Sequence, residues 1–287
     1  MTNTSRLLGL FLALALAACA APNEAIGPNA PLPSAVAGSD VAKRVSKSDF
    51  ILLGEKHDNP AHHQVQAAIL RHSIMSSDGV VFEMITKDQQ PVIDQYLTGE
   101  ILFTDLEKAL NWEKSGWPDW RFYAPLFKIT KEAKARILYG SYPRKELMGK
   151  MKTSKSDFQA LPEGQMANLN EQIKESHCDL LPENMIKPMS RLQIAKDHLM
   201  ATQMLKVKGD GKAFLIAGNG HIRKDRGVPY YLKQRLINQQ VLAVGIIEET
   251  ALNSEQDQFS LYNTIWTTEA TPEKDYCAGL RKKFGKS

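Results

Sequence analysis

The chain has little cysteine, with three residues in 287. After its N-terminus it has no apolar run near the ~18 residues of a membrane-spanning helix, so nothing else in it is expected to cross a bilayer. It has no dense Lys/Arg tract, and the formal net charge is only +4. The one basic stretch, Arg281-Lys282-Lys283-Phe284-Gly285-Lys286, is short and reads as a solvated terminus, so no nucleic-acid partner is expected. No internal repeat is visible. Gly218-x-Gly220 lacks the third glycine of a dinucleotide fingerprint. What remains is an ordinary globular composition, 43% apolar and 24% charged.

The N-terminus is more specific. Arg6 precedes an uncharged apolar run, Leu7 to Ala18, closed by Leu16-Ala17-Ala18-Cys19. This reads as a secretory signal peptide over residues 1–18, too short to span a membrane. Small residues followed directly by cysteine resemble the lipobox of bacterial lipoproteins. The resemblance implies that the Cys19 thiol is acylated, with palmitate-type chains, and becomes the new N-terminus. With Ala rather than Asp at position 20, it also implies the outer membrane, with the body facing the periplasm. Loss of Arg6 leaves the mature chain at +3. Cys178 and Cys277 are then the two spare cysteines. An oxidising compartment favours a disulfide between them over two free thiols.

Residues 19–39, rich in Ala, Pro, Asn, Gly and Ser, read as a flexible tether. Residues 40–287 read as a single α/β domain. Six short apolar runs are expected strands: Phe50–Leu53, Gly79–Glu83, Arg136–Gly140, Ala213–Gly218, Val241–Ile247 and Leu261–Trp266. Helical spacing follows an Asn59-Pro60 start, and recurs over Lys87–Leu97 and Tyr123–Ala133. Continuous apolar strands alternating with helices predict a mostly parallel sheet flanked by helices. Residues 157–208 offer no strand and read as a helical insertion.

Two of the strand ends match. Gly54-Glu55-Lys56-His57 and Gly218-Asn219-Gly220-His221 each place histidine three residues after glycine, and the second strand ends in Phe82-Glu83. The carboxyl ends of parallel strands share one crevice. Glu55, His57, Glu83, His221 and Arg223 are therefore expected to converge there. Carboxylates beside imidazoles suit acid–base work, metal ligation or a polar binding pocket. His62 and His63 point about 100° apart on a helix and read as solvated surface, with the crevice rim as the alternative for one of them.

Several runs resemble the ChaN-like haem-binding lipoproteins of the superfamily that also contains erythromycin esterases and Tiki-type metalloproteases. They are Ile51 to Asp58 with His62-His63-x-x-Gln66, Trp112 to Trp120 with Tyr123 and Pro125, His177-Cys178-x-x-Leu181-Pro182, Gln193-x-x-x-Asp197, and Ile216 to Pro229. The resemblance implies a role in haem or iron uptake, with two stacked haems held in a homodimer and a tyrosine on each ferric iron. Tyr123 is the first expected ligand and Tyr231 the second, with His57, His177, His221, Trp112 and Trp120 as further expected haem contacts. Covalent attachment is excluded, because no Cys-x-x-Cys-His run occurs. The alternative implied by the superfamily is a hydrolase, dependent on a divalent metal or on acid–base chemistry, using Glu55, His57, Glu83, His221 and Arg223.

Overall fold

The computed structural model describes residues 39–152, 160–251, 260–272 and 274–284. The expected signal peptide, Cys19 and the tether up to residue 38 lie outside them. Six strands, β1 (Phe50–Glu55), β2 (Gly79–Thr86), β3 (Arg136–Ser141), β4 (Ala213–Gly218), β5 (Val241–Glu248) and β6 (Thr264–Thr268), form one sheet in the order β3-β2-β4-β1-β5-β6. Every pairing is parallel. The α/β expectation holds, with the sheet wholly rather than mostly parallel.

Apolar runs became strands because both faces of the sheet are covered. Ile51 and Leu53 pack on one face with α1 (Asp40–Ser46), α2 (Pro60–Ser73), α3 (Gln90–Thr98), α4 (Phe103–Ala109) and α5 (Trp120–Glu132). Phe50 and Leu52 point to the other face, under α7 (Glu163–Ser176), α8 (Glu183–Lys208) and α9 (Val228–Lys233). A strand buried on both faces has no polar side to alternate with. Helix α6 (Arg144–Lys152) follows β3, and α10 (Cys277–Phe284) closes the described chain.

Two expectations are refined. The last strand begins at Thr264, because Tyr262 is used to cover Gly245, where a Cβ would meet its ring at 2.6 Å. The region expected as a helical insertion is α7 and α8, and α8 is integral to the sheet. Its residues Met200, Met204 and Val207 lie in the core beneath β2 and β4, so α8 forms the crossover from β3 to β4. Cys178, in the turn between α7 and α8, is joined to Cys277 by a disulfide.

Candidate functional site

Strand order brings the chemistry together. β2, β4 and β1 are neighbours, and Glu55 stands level with Gly218 across the β1–β4 pairing. Alternation along the strands sends Glu55 toward α2 and α5, and Glu83 toward α8. Two buried carboxylates therefore lie on opposite faces of the sheet at its carboxyl edge, and His57 spans the gap. Its Nδ1 is 2.7 Å from Glu55 Oε1, and its Nε2 is 4.0 Å from Glu83 Oε2.

The matched glycines have a steric reason. A Cβ on Gly218 would sit 2.9 Å from His57 Nε2, and one on Gly54 would sit 2.1 Å from Asn219 Oδ1. Each strand end must be bare for the other's loop to cross it.

Glu55 is buried and saturated. It accepts from the Tyr123 hydroxyl at 2.6 Å and from Gln66 at 2.8 Å, while His63 Nδ1 lies 3.4 Å from Oε2. Burial alone would raise this carboxyl, but His63, His57 and Tyr123 hold it below the ordinary carboxylate range. Glu83 behaves likewise. Burial opposes its ionisation, but His221 and Lys196 pull it well below the ordinary value. It accepts from Lys196, from His221 Nε2 at 3.1 Å and from the Gly218 amide at 2.9 Å.

On its far side His221 Nδ1 donates to Asp197. Burial works against its charge, but Glu83 and Asp197 raise it to about 9, so this histidine is an imidazolium at neutral pH. Asp197 is pushed up to about 6 by burial, against the pull of His221. His57, too, is desolvated, yet the Glu55 hydrogen bond and the Glu83 charge raise it above an ordinary histidine. A row of alternating acid and imidazole thus runs from Asp197 through His221, Glu83 and His57 to Glu55. Only His57 opens to solvent, with 36% of its side chain exposed.

Beside it, Trp117 presents its ring edge-on at 4.9 Å. His57, Trp117, Pro118, Lys56, Asp58 and Tyr276 line an open cavity of about 390 Å³. Trp117 also borders a second cavity of about 750 Å³, toward Met84, Tyr142 and Lys196.

Four of the five expected convergent residues meet. Arg223 instead pairs with Asp225 and joins none of the bonds in the row. The remaining residues singled out in the sequence lie as follows. His62 and His63 are buried rather than solvated. His62 Nδ1 accepts from the Lys56 amide at 2.8 Å, and burial, then His63, lowers its pKa to about 4. His63 Nε2 bonds the His57 carbonyl at 2.9 Å. Tyr123 is fully buried, and its proton is committed to Glu55, so burial and that carboxylate hold the phenol far from ionisation. Tyr231 is buried against His198, and its hydroxyl has no partner among the described residues. Trp112 and Trp120 pack edge to face in the core, where the indole of Trp112 donates to Pro118 O. His177 caps its own helix through Ile173 O.

Lys196 and Tyr276 were missed at the sequence level, while Asp58, Gln66, Trp117 and Asp197 stood in the quoted runs without an assigned site role. The spacing Gln193-x-x-x-Asp197 was a usable signal, since it puts both residues on one helix face. Among the described residues, no group of three His, Cys, Asp or Glu is arranged to hold a metal ion, and no helix is long and apolar enough to cross a membrane.

The family model described as "Haem-binding uptake, Tiki superfamily, ChaN" matches residues 41–232. The chain belongs to this family. Among solved structures it is similar to ChaN of Campylobacter jejuni with cofacial haem bound, at 25% identity and a TM-score of 0.63. That match covers 72% of this chain and 84% of the other. The type III effector HopBA1 matches at 12% identity and TM-score 0.44, over 80% of this chain and 92% of that one. A mutant of the erythromycin esterase EreC matches at 13% and 0.44, over 72% of each chain. No curated protein matches. The family match contains the whole acid–imidazole row and stops before Tyr276.

Proposed function

We propose that this chain is a haem-binding lipoprotein of haem or iron uptake, anchored through Cys19 at the outer membrane and facing the periplasm. The observation that carries the site is the pairing of an exposed phenol with a carboxylate. Tyr276 is 53% exposed and donates to Asp58 Oδ2 at 2.8 Å, in the cavity shared with His57 and Trp117. A ferric iron favours a hard anionic oxygen donor, and tyrosinate is one. The phenol must lose its proton to serve, and Asp58 stands where it can take it. Trp117 and Pro118 give a flat apolar wall for a macrocycle. Because the cavity is open, a planar ligand lying in it keeps one face toward water. A second copy of the chain would cover that face, which supports a dimer.

Haem titration followed by absorption spectroscopy tests this. Wild type should give a high-spin ferric spectrum, and Tyr276→Phe should lose it while remaining folded. Tyr123→Phe should retain the spectrum and lose stability instead, by about 1–3 kcal/mol for the carboxylate partner left short. Sedimentation should show haem-dependent dimers. Wild-type binding no better than that of an unrelated protein would end the haem reading.

A second reading, an acid–base hydrolase, is favoured by the exposed imidazole of His57 backed by Glu55, the arrangement of a general base. Ester hydrolysis by the purified chain, lost in His57→Ala, would support it.

A further inference from the structure

The end of the chain is fastened across the mouth of the cavity by three separate devices. After β6, Thr271 donates from its amide and its hydroxyl to Glu248 Oε1, at 3.0 and 2.7 Å. The same carboxylate accepts from Lys56 at 3.0 Å and from Asn59 at 2.9 Å. Further on, Lys274 and Tyr276 both donate to Asp58 Oδ2, at 3.1 and 2.8 Å. Lys56 stands 5.5 Å over the Tyr276 ring. The residue after Tyr276 is Cys277, and its bridge runs to Cys178 in the turn between α7 and α8.

These anchors are unequal. The pair nearest Tyr276, Lys274 with Asp58, is exposed and contributes little, whereas Glu248 is only 11% exposed but holds the chain at Thr271, five residues before the phenol. The bridge alone is covalent, and it lies one residue from the phenol. Tyr276 itself is half-exposed and has little packing to hold it. Its position against His57 and Trp117 therefore depends on what fixes Cys277.

We infer that Cys178–Cys277 and Asp58 are positioning residues for Tyr276, and that ligand recognition at this wall of the cavity follows the redox state of the bridge. A dithiol reduces it by supplying two electrons and two protons, leaving two thiols and an oxidised dithiol. Among the described residues, 274–277 then keep only the exposed contacts to Asp58 and the Lys56 cation over the Tyr276 ring, and Tyr276 must be ordered anew each time a ligand binds. The inference rests on the haem reading above for its ligand, but its anchoring step can be measured without haem.

The test compares three samples of the full chain: oxidised wild type, wild type reduced and capped with iodoacetamide before the reductant is removed, and a Cys178→Ser/Cys277→Ser variant. Ferric haem is the probe. Loss of pre-ordering of one or two side chains should weaken binding by about tenfold in both bridge-free samples. The tyrosinate spectrum should fade with it. Tyr276→Phe should show no further loss on reduction, which a merely structural bridge would not produce. Asp58→Asn should move the appearance of the tyrosinate spectrum to higher pH. Equal affinity and spectra with and without the bridge, in folded protein, would overturn the inference and leave the haem reading standing. If oxidised wild type does not bind haem, the haem reading fails instead. Amide exchange over residues 268–277 then decides the anchoring: faster exchange on reduction supports it, and unchanged exchange overturns it.

Discussion

His57 Nδ1 lies 2.7 Å from Glu55 Oε1, and Glu55 is held in place from behind by the Tyr123 hydroxyl at 2.6 Å. The imidazole that meets solvent is thus backed by a fixed, ionised acid. That pair sets which nitrogen of His57 is free, since Nδ1 is engaged and Nε2 faces Glu83 from 4.0 Å. Glu55→Gln keeps the shape and removes the charge. The His57 pKa, followed by its ring-proton resonances, should fall, because the hydrogen bond and the opposite charge that hold it up are lost. An unchanged titration would show that Glu55 does not govern His57.

Gly218 makes the second test. Its Cα carries no side chain because His57 Nε2 occupies the space, 2.9 Å from where a Cβ would stand. The ring is held there by the Nδ1 hydrogen bond to Glu55. Gly218→Ala should displace His57 and lower stability by about 1–3 kcal/mol, as overpacking does elsewhere. The cavity beside Trp117 should change shape, and haem affinity should drop. Chemical denaturation and haem titration of the variant check both parts. Wild-type values for both would mean that His57 is free to move.

The fold was legible because both-face burial writes a strand as an unbroken apolar run, as in Ala213 to Gly218, found with the bounds expected for it. Convergence of Glu55, His57, Glu83 and His221 was legible because parallel strands end on one side. Side-chain direction was less so. Nothing in one sequence says that α5 turns Tyr123 inward with Trp120 and Phe127, or that Trp117 rather than Trp112 borders the cavity. His62 and His63 looked solvated because adjacent helix positions rarely both face inward. Here the helix starts beneath a loop, and Lys56 N and the His57 carbonyl supply partners for both rings. Tyr276 was invisible in the sequence because a disulfide and a salt-linked loop, not periodicity, bring it to the site.

Cys19 lies outside the described residues, and its role is a chemical prediction. An apolar run ending in Leu16-Ala17-Ala18-Cys19 should be processed to an acylated Cys19. Cys19→Ser should leave the chain unprocessed or release it from the membrane fraction. Intact-mass measurement of the native protein decides the matter: an unmodified Cys19 would refute the anchor.

Stability should depend on pH in a way that identifies the row. Glu55 and Glu83 ionise more readily folded than unfolded. Their contribution is complete above the ordinary carboxylate value of 4.5 and is lost as pH falls below it. Asp197 works in the opposite sense. With its pKa raised from 3.8 to about 6, it favours the fold while protonated, and that gain erodes as pH climbs between those values. His221 is raised from 6.5 to about 9, so its contribution is full below pH 6.5 and disappears as pH rises through 9. The size of that alkaline loss is on the order of 3 kcal/mol, from the shift of a fully buried group. His57 adds to it in the same direction. Urea unfolding from pH 2 to pH 10 should therefore show stability falling with acid below about 4.5, a smaller loss from Asp197 as pH rises from 3.8 to about 6, and a further loss between about 6.5 and 9. His221→Gln should be less stable throughout, because Glu83 and Asp197 lose a partner while buried. It should also lose most of the alkaline slope, keeping only the share of His57. A wild-type stability that stays flat from pH 6.5 to pH 9 would mean that His221 is not held as an imidazolium between the two carboxylates.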